Sequence, residues 1–397
     1  MQSSIKLRLT VMNFLQFAVW GAYLTSMGRY LGTAGFGSEI GNFYAMQGLV
    51  SLFMPALMGI VADRWIPAQR LLGVCHMLAG MLMLGVFLYT QTDAPSYPSL
   101  FALYSLSVAF YMPTLALSNS VAYTSLDQAG LDLVKSFPPI RVFGTVGFIC
   151  TMIAVSLLGL EATSGQFAVS AIISLVLAVY AQTLPNCPTA PKGQSKSLVE
   201  ALGLRAFVLF KQRKMALFFI FSMLLGVSLQ ITNGFANPFI STFGEIPAYA
   251  DTFGVKYANI LISLSQLSET LCILLIPFAL RRFGIRRVML IAMVAWVLRF
   301  ALLGLGNPGS GVWLFLLSMI VYGVAFDFFN VSGSLFVDKE TDHSIRSSAK
   351  GLFMIMTNGI GATLGSLGAQ AVINHFVHTE HDTTAILAGL SMSWYIF

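Results

Sequence analysis

Three pairs of strongly hydrogen-bonding side chains lie inside long apolar stretches of this sequence of 397 residues. The members of each pair are three positions apart, which places both side chains on one face of an α-helix. Amide and carboxyl groups in that arrangement are suited to bind the edge of a heterocycle or the hydroxyls of a sugar. The pairs are Gln230 and Asn233, Gln266 and Glu269, and Asp327 and Asn330.

Two interpretations of these pairs are open. Amide side chains join neighbouring helices inside membranes, but one or two such groups at each interface are enough for that purpose. Because all three pairs lie about half-way along their apolar stretches, the pattern favours one shared polar cavity. Aromatic residues flank the pairs and suit stacking on a flat ring, although packing is their more common role. These aromatic residues are Phe143, Phe148, Tyr322, Phe326, Phe328 and Phe329.

Charged side chains also lie within the apolar stretches, namely Arg141, Glu269, Arg299 and Asp327. A charge at the centre of a bilayer costs at least about 2.5 kcal/mol, so each one needs a partner or a function. A buried ion pair that fixes helix packing is the favoured interpretation for Arg299, because no polar residues surround it in the sequence. For the two carboxylates proton binding is favoured, since desolvation disfavours their ionised form. Arg141 lies near a helix end and reaches either the interface or the cavity.

The elements that position these residues are predicted to be membrane helices. The chain is 56% hydrophobic and 10% charged, with a mean hydropathy of +0.78, whereas soluble domains carry about 25% charged residues. A helix needs about 20 mainly apolar residues to cross the bilayer core. By that measure the sequence predicts an all-α integral membrane protein with twelve transmembrane helices, near 8–31, 40–62, 69–91, 97–124, 138–160, 165–184, 215–243, 255–280, 287–306, 311–337, 347–375 and 384–397.

The longest polar interruption divides these segments into two groups of six. We therefore predict an N-terminal six-helix bundle over 1–184, a cytoplasmic linker over 185–214 and a C-terminal six-helix bundle over 215–397, the plan of a two-part transporter. Apolar residues at helical spacing over 198–210 predict a short interfacial helix in the linker. The last segment is short: 385–397 rises only about 20 Å as a helix, so the chain is expected to stop inside helix 12.

The distribution of basic residues predicts the orientation. With the N-terminus in the cytoplasm, the cytoplasmic loops hold nearly all Lys and Arg residues outside the apolar stretches, and the opposite side keeps only Arg29 and Lys256. This imbalance satisfies the positive-inside rule and places both native termini in the cytoplasm. Since the basic residues serve topology in short clusters, the net charge of +6 does not indicate a nucleic-acid partner.

The sequence contains no Walker A, Gly-x-Ser-x-Gly or His-Glu-x-x-His motif and no metal-ligand cluster. An intramembrane enzyme would need a nucleophile–base pair or metal ligands at mid-depth, so an enzyme is not expected. Two other kinds of protein stay open beside a transporter of a solute that combines a flat heterocycle with hydroxyl groups. One is a proton-coupled transporter of sugars or other small polar solutes, and the other is a passive channel.

Motifs over nearly the whole chain carry a resemblance to a known family. Gly59, Asp63 and Arg64 resemble the Gly-x-x-x-Asp-Arg motif of the major facilitator superfamily, and the most specific motifs are Phe-Pro-Pro-Ile-Arg at 137–141 and Phe-Asp-Phe-Phe-Asn at 326–330. With these motifs the chain resembles the bacterial nucleoside:proton symporters of that superfamily, the nucleoside and xanthosine permease type. Further matching segments are 14–16, 54–56, 111–114, 229–233 and 265–269.

The resemblance implies alternating access, proton-driven nucleoside uptake and a multi-pass position in the bacterial inner membrane. It implies no cofactor, with H+ as the coupling ion, and a monomer is expected. Glu269 and Asp327 are expected to couple the proton. The resemblance places substrate contacts at Arg141, Thr145, Phe148, Gln230, Asn233, Gln266, Glu269, Tyr322, Phe326 and Asp327; spacing alone does not select Thr145 or Phe148.

Overall fold

The computed structural model describes residues 2–189, 204–377 and 382–397, and in these ranges the chain is helical and has no strand. A chain this apolar must satisfy its backbone N–H and C=O groups within each segment, and the helix does so. The α-helices of these ranges are, in chain order, α1 (Gln2–Gly21), α2 (Met27–Thr33), α3 (Ile40–Ser51), α4 (Met54–Arg64), α5 (Ala68–Tyr89), α6 (Tyr97–Gln128), α7 (Leu133–Leu157), α8 (Gly165–Ala181), α9 (Arg213–Thr242), α10 (Phe253–Lys256), α11 (Ala258–Leu305), α12 (Val312–Glu340), α13 (His343–Met354), α14 (Ala362–Val377) and α15 (Thr383–Ile396).

The structure has helices at the predicted segments, and some of these segments are interrupted. The segment predicted near 8–31 is two helices, α1 and α2, separated by a turn over 22–26. The segment near 40–62 is interrupted between α3 and α4, because Pro55 has no N–H to donate to the carbonyl of Ser51. Within the described ranges, eight helices are long and apolar enough to cross a membrane, and Gly165–Ala181 is a shorter apolar helix. The count of twelve stays a prediction.

Part of the predicted linker helix over 198–210 lies outside the described residues. From Leu204 to Lys211 the chain forms a 3-10 helix. Two further 3-10 turns, Gly37–Glu39 and Phe243–Glu245, and a π-helical stretch, Ile355–Gly361, complete the helical elements of the described chain.

The chain packs as two compact units. The first consists of Met1–Leu24, Leu49–Val155 and Thr163–Leu204. Its core lies where α5 meets α6 and α8, and includes Leu72, Val121 and Leu177. On another side α7 approaches α1 closely, because Gly21 and Gly147 lie directly against backbone atoms of the facing helix.

The second unit consists of Thr25–Gly48, Ser156–Ala162 and Arg205–Phe397. Its longest element, α11, contains a break at Gly284, whose φ of 76° favours glycine. The two parts of α11 on either side of Gly284 correspond to the segments predicted near 255–280 and 287–306, and both pack against α12.

Glycines also bring α9 against the helix predicted near 347–375. Gly226 of α9 lies against the backbone of Thr357 in the π-helical stretch. One and two turns further along, Gly361 and Gly365 lie against backbone atoms of Met223 and Val227. The Gly-x-x-x-Gly motif of the sequence is therefore a packing motif that permits close approach of two helices.

Candidate functional site

The structure divides the ten predicted substrate contacts between the two units. The first unit holds Arg141, Thr145 and Phe148, all on α7. The second unit holds the residues of α9, α11 and α12, which are Gln230, Asn233, Gln266, Glu269, Tyr322, Phe326 and Asp327.

In the first unit, one face of α7 presents an arginine, a threonine and a phenylalanine along successive turns. The guanidinium of Arg141 lies 4.0 Å from the ring centroid of Phe17 on α1. This cation–π contact holds the arginine, which is half-buried, against the helix neighbour. Thr145 follows one turn later and is half-buried, and Phe148 is buried where α7 meets Gly21.

On α9, the two amides selected by sequence spacing contact each other. Asn233 Nδ2 donates to Gln230 Oε1 over 3.4 Å. Gln230 is buried and its Nε2 donates to the main-chain carbonyl of Tyr44 over 3.2 Å. The Tyr44 carbonyl therefore fixes the orientation of Gln230, whereas Asn233 is half-buried and its carbonyl oxygen accepts no hydrogen bond from the residues that the structure describes.

A second polar face lies on α11, where Gln266 and Glu269 are both half-buried. The adjacent Ser268 donates to the main-chain carbonyl of Ile320 and lies against Gly323 of α12. Because no side chain intervenes at Gly323, α11 and α12 approach closely at this level. The polar face of α11 thus lies beside the aromatic residues of α12.

On α12, the rings of Tyr322 and Phe326 are nearly parallel, with an interplanar angle of 5° and centroids 5.8 Å apart. We call these two residues the aromatic pair. Tyr322 is buried, whereas Phe326 is half-buried and offers part of its ring surface. Tyr322 also interacts with the side chain of Gln266. A planar ring can therefore meet the aromatic pair and an amide together.

The carboxyl group of Asp327 is buried, with the residue 3% exposed, and it interacts electrostatically with Glu269. No hydrogen-bond partner of Asp327 Oδ2 is found among the residues that the structure describes. A buried carboxyl oxygen without a hydrogen-bond partner is costly, so Oδ2 is an atom at which a bound proton or ligand would stabilise the site.

Arg299 corrects an expectation from the sequence. The predicted ion pair is wrong, because within the described ranges no carboxylate lies at ion-pair distance from the Arg299 guanidinium. Its Nη1 instead donates to the carbonyl of Ser318 over 2.7 Å, and the guanidinium lies 4.7 Å from the ring centroid of Tyr322. A main-chain carbonyl and an aromatic ring replace the expected carboxylate.

Sequence reasoning missed a buried polar cluster in the second unit, centred on Glu161. One Glu161 oxygen, Oε2, accepts hydrogen bonds from Arg29 Nη1 and Asn237 Nδ2, both over 3.1 Å. The other, Oε1, accepts from the backbone N–H of Asn259 over 3.2 Å and from the Ser156 hydroxyl. We call these five residues the Glu161 cluster. The sequence offered one signal for this cluster: Glu161 and Arg29 are an isolated acid and an isolated base on the same predicted side of the membrane.

A second missed group is a buried imidazole in the first unit. His76 of α5 is fully buried, and its two ring nitrogens lie 2.8 Å from Gln16 Oε1 and 2.9 Å from Ser174 Oγ. Gln16 Nε2 in turn donates to the Thr114 hydroxyl over 2.7 Å. This chain of contacts joins α1, α5, α6 and α8, so it fixes the packing of four helices.

Known proteins resemble this chain over nearly its full length. A profile of the family described as "Nucleoside H+ symporter" matches residues 3–395. The chain is 50% identical to the xanthosine permease of Escherichia coli over 376 residues, which cover 94% of this chain and 89% of that protein. It is 46% identical to the nucleoside permease NupG of Escherichia coli over 396 residues, which cover 98% of this chain and 94% of that protein.

A solved structure is also similar. The crystal structure of the nucleoside transporter NupG superposes with a TM-score of 0.89 at 45% identity, covering 99% of this chain and 95% of that chain. The predicted all-α membrane fold of the major facilitator type is thereby confirmed. Because the family and these relatives are membrane transporters, the chain is a multi-pass membrane transporter and not an enzyme. The chain belongs to the nucleoside H+ symporter family.

Proposed function

We propose that this chain binds nucleosides at the ten predicted contacts and that Glu269 and Asp327 carry the coupled proton during uptake. One observation carries the proposal: on α11 and α12, the aromatic pair lies beside Gln266, Glu269 and the buried Asp327. A ring surface with amide and carboxyl groups at its edge matches a nucleobase joined to a ribose, and suits it better than a sugar alone.

The amides supply recognition in this proposal. Gln230 is held by the Tyr44 carbonyl, so its partner Asn233 has a fixed neighbour; the Asn233 oxygen, which accepts from no described residue, is proposed to accept from a substrate donor. Arg141, Thr145 and Phe148 of α7 contribute the remaining contacts. Because such a site leaves buried polar groups unpaired when a substrate hydroxyl or amino group is missing, it rejects analogues that lack these groups.

The carboxyl groups supply coupling. Asp327 is buried, and its Oδ2 has no hydrogen-bond partner among the described residues; in this proposal the carboxyl group holds a proton while water is excluded and releases it when the site opens to the cytoplasm. Glu269 lies one turn from Gln266 on the same face and interacts electrostatically with Asp327, so in this proposal it contacts both the substrate and the proton-carrying site. Proton binding and nucleoside binding are then linked through one site.

The proposal also includes the topology. The chain crosses the bacterial inner membrane twelve times as a monomer, with both termini in the cytoplasm and the linker over 185–214 on the same side. The bundles over 1–184 and 215–397 expose the site to each side in turn. The basic loops support this orientation.

Uptake of radiolabelled uridine into proteoliposomes tests the function. We expect saturable accumulation when the outside is acidic, inhibition by unlabelled uridine and adenosine, and no inhibition by xylose. Uridine accumulation that does not depend on the pH gradient would refute proton coupling. Inhibition by xylose with no inhibition by nucleosides would indicate a sugar transporter, and flux that does not saturate would indicate a channel.

A further inference from the structure

Arg299 is the largest side chain with less than 2% exposure in the described chain, and few of its N–H donors have a hydrogen-bond acceptor there. The residue is 0% exposed. Besides the Ser318 carbonyl, Nη1 reaches Ser265 Oγ over 3.4 Å, and Nε has no hydrogen-bond partner among the described residues. A guanidinium carries five N–H donors and a permanent charge. Keeping such a group at this depth is costly, so another interaction must offset the cost.

The ring of Tyr322 supplies that interaction. The guanidinium lies 4.7 Å from the Tyr322 centroid, within the range in which a cation is attracted to an aromatic face. Trp296, one turn before Arg299 on α11, meets Tyr322 edge-on at 88° with centroids 5.9 Å apart. The Tyr322 ring is thus contacted by a charge over its face and by an indole perpendicular to it.

The position of Tyr322 in turn restricts the positions of two predicted substrate contacts, Phe326 and Gln266. Its ring is parallel to that of Phe326, at 5.8 Å between centroids, and its side chain interacts with Gln266. Phe326 is the half-buried member of the aromatic pair, so its ring is the one that a base meets. Any rotation of Tyr322 would move the surface behind Phe326 and the partner of Gln266 together.

We propose that Arg299 is a positioning residue of the nucleoside site, which fixes Tyr322 and thereby holds Phe326 and Gln266 in the geometry that accepts a planar base. The inference rests on the proposed function, since it concerns residues proposed to contact substrate. Arg299 itself does not touch the nucleoside. Its removal weakens binding of nucleosides, and more for purine nucleosides, because a purine overlaps more of the ring surface than a pyrimidine does.

The test is calorimetric binding of adenosine and uridine to purified R299M, R299Q and R299K. We expect the two neutral variants to raise the Kd of adenosine by about threefold to thirtyfold, the range of a buried cation–π contact, and the Kd of uridine by less. R299K keeps a cation over the ring, so its Kd is expected to lie between those of the neutral variants and the parent. Trp394→Phe is the matched control, because Trp394 is a buried aromatic residue of the same unit that packs on Phe239 and Phe300; its Kd is expected to be unchanged.

A double-mutant cycle separates positioning from general packing. In a Tyr322→Leu background, R299M is expected to cause no further loss of adenosine binding, since the ring through which it acts is gone. Equal losses in the two backgrounds, or parent-like Kd values in folded R299M, would overturn the inference.

If neither neutral variant folds, the Kd of adenosine for R299K and for Trp296→Phe tests the inference instead. Both substitutions loosen the packing around Tyr322 while they keep a positive charge at position 299. Parent-like Kd values in both variants would overturn the inference. Absence of nucleoside binding by the parent would instead refute the proposed function.

Discussion

The Glu161 cluster allows a sharp test of buried polar packing. Glu161→Gln keeps the size of the side chain but replaces one acceptor oxygen by an NH2 donor. Each carboxylate oxygen accepts two hydrogen bonds, from Arg29 and Asn237 at Oε2 and from Asn259 and Ser156 at Oε1. If Oε2 is replaced, Arg29 and Asn237 both face a donor; if Oε1 is replaced, the Asn259 N–H faces a donor, while the Ser156 hydroxyl can turn to accept. In both cases the charge that pairs with Arg29 is lost.

The expected cost follows from the burial of the pair. Removing one member of a fully buried ion pair costs about 3–5 kcal/mol. The Arg29 side chain is 20% exposed and that of Glu161 4%, so water compensates part of the loss and we expect about 2–4 kcal/mol. That loss corresponds to a decrease of the apparent melting temperature of about 5 °C or more.

The assay is thermal unfolding of the purified protein in detergent, combined with hydrogen–deuterium exchange. Glu161→Gln is expected to lower the melting temperature and to raise exchange in 25–48 and near Asn259, whose N–H loses its acceptor. Asp93→Asn, which alters an exposed carboxylate, is the matched control and is expected to change neither. A Glu161→Gln protein with the melting temperature and the exchange pattern of the parent would show that the cluster does not stabilise this unit.

Three further predictions concern transport and topology. Asp327→Asn and Glu269→Gln should each lose uphill nucleoside uptake driven by a pH gradient, and at least one should still exchange nucleoside without the gradient; Asp338→Asn is the control, and parent-like accumulation by both variants in proteoliposomes would show that these carboxylates are structural. Gln230→Ala should weaken nucleoside binding by about 1–3 kcal/mol, because Asn233 and the Tyr44 carbonyl lose their partner; an unchanged Kd in calorimetry of the folded protein would contradict this assignment. A reporter that is active only outside the cytoplasm, fused after Lys196, should stay silent, and activity there would show that the predicted helix count or orientation is wrong.

Local patterns predicted the helices and the polar faces. Two residues three positions apart share a helix face whatever surrounds them, so the spacing of Gln230 and Asn233 was enough to predict that both lie on one face of α9. Their contact with each other was found only in the structure. The same reasoning placed Gln266 and Glu269 on one face of α11. A proline lacks its N–H in any context, so the break before Pro55 also follows from a local rule, although hydropathy alone predicts one continuous segment there.

Contacts between distant segments could not be predicted from the sequence. Arg299 was expected to need a carboxylate, but the partners that hold it, Ser318 and Tyr322, belong to the next helix, and its Nη1 donates to a main-chain carbonyl. Every residue has such a carbonyl, so the sequence does not indicate which one accepts a hydrogen bond from the Arg299 guanidinium. Glu161 was overlooked for a related reason. It follows α7 in a connecting segment, where hydropathy predicts exposure, and only the packing of remote elements makes it buried.

The Glu161 cluster also orders the events of biosynthesis. Arg29 precedes Glu161 by 132 positions, and Asn259 follows Glu161 by 98. A ribosome that adds 5–20 residues per second therefore makes Glu161 about 5–20 s before Asn259. At the start of that interval Arg29 and Ser156 are the cluster residues already made, and Asn237 and Asn259 are still to follow, so the buried site is incomplete. Completion of α9 and the start of α11 closes it, so the newly made chain reaches its final hydrogen-bonded state at this point only after most of its length has been inserted.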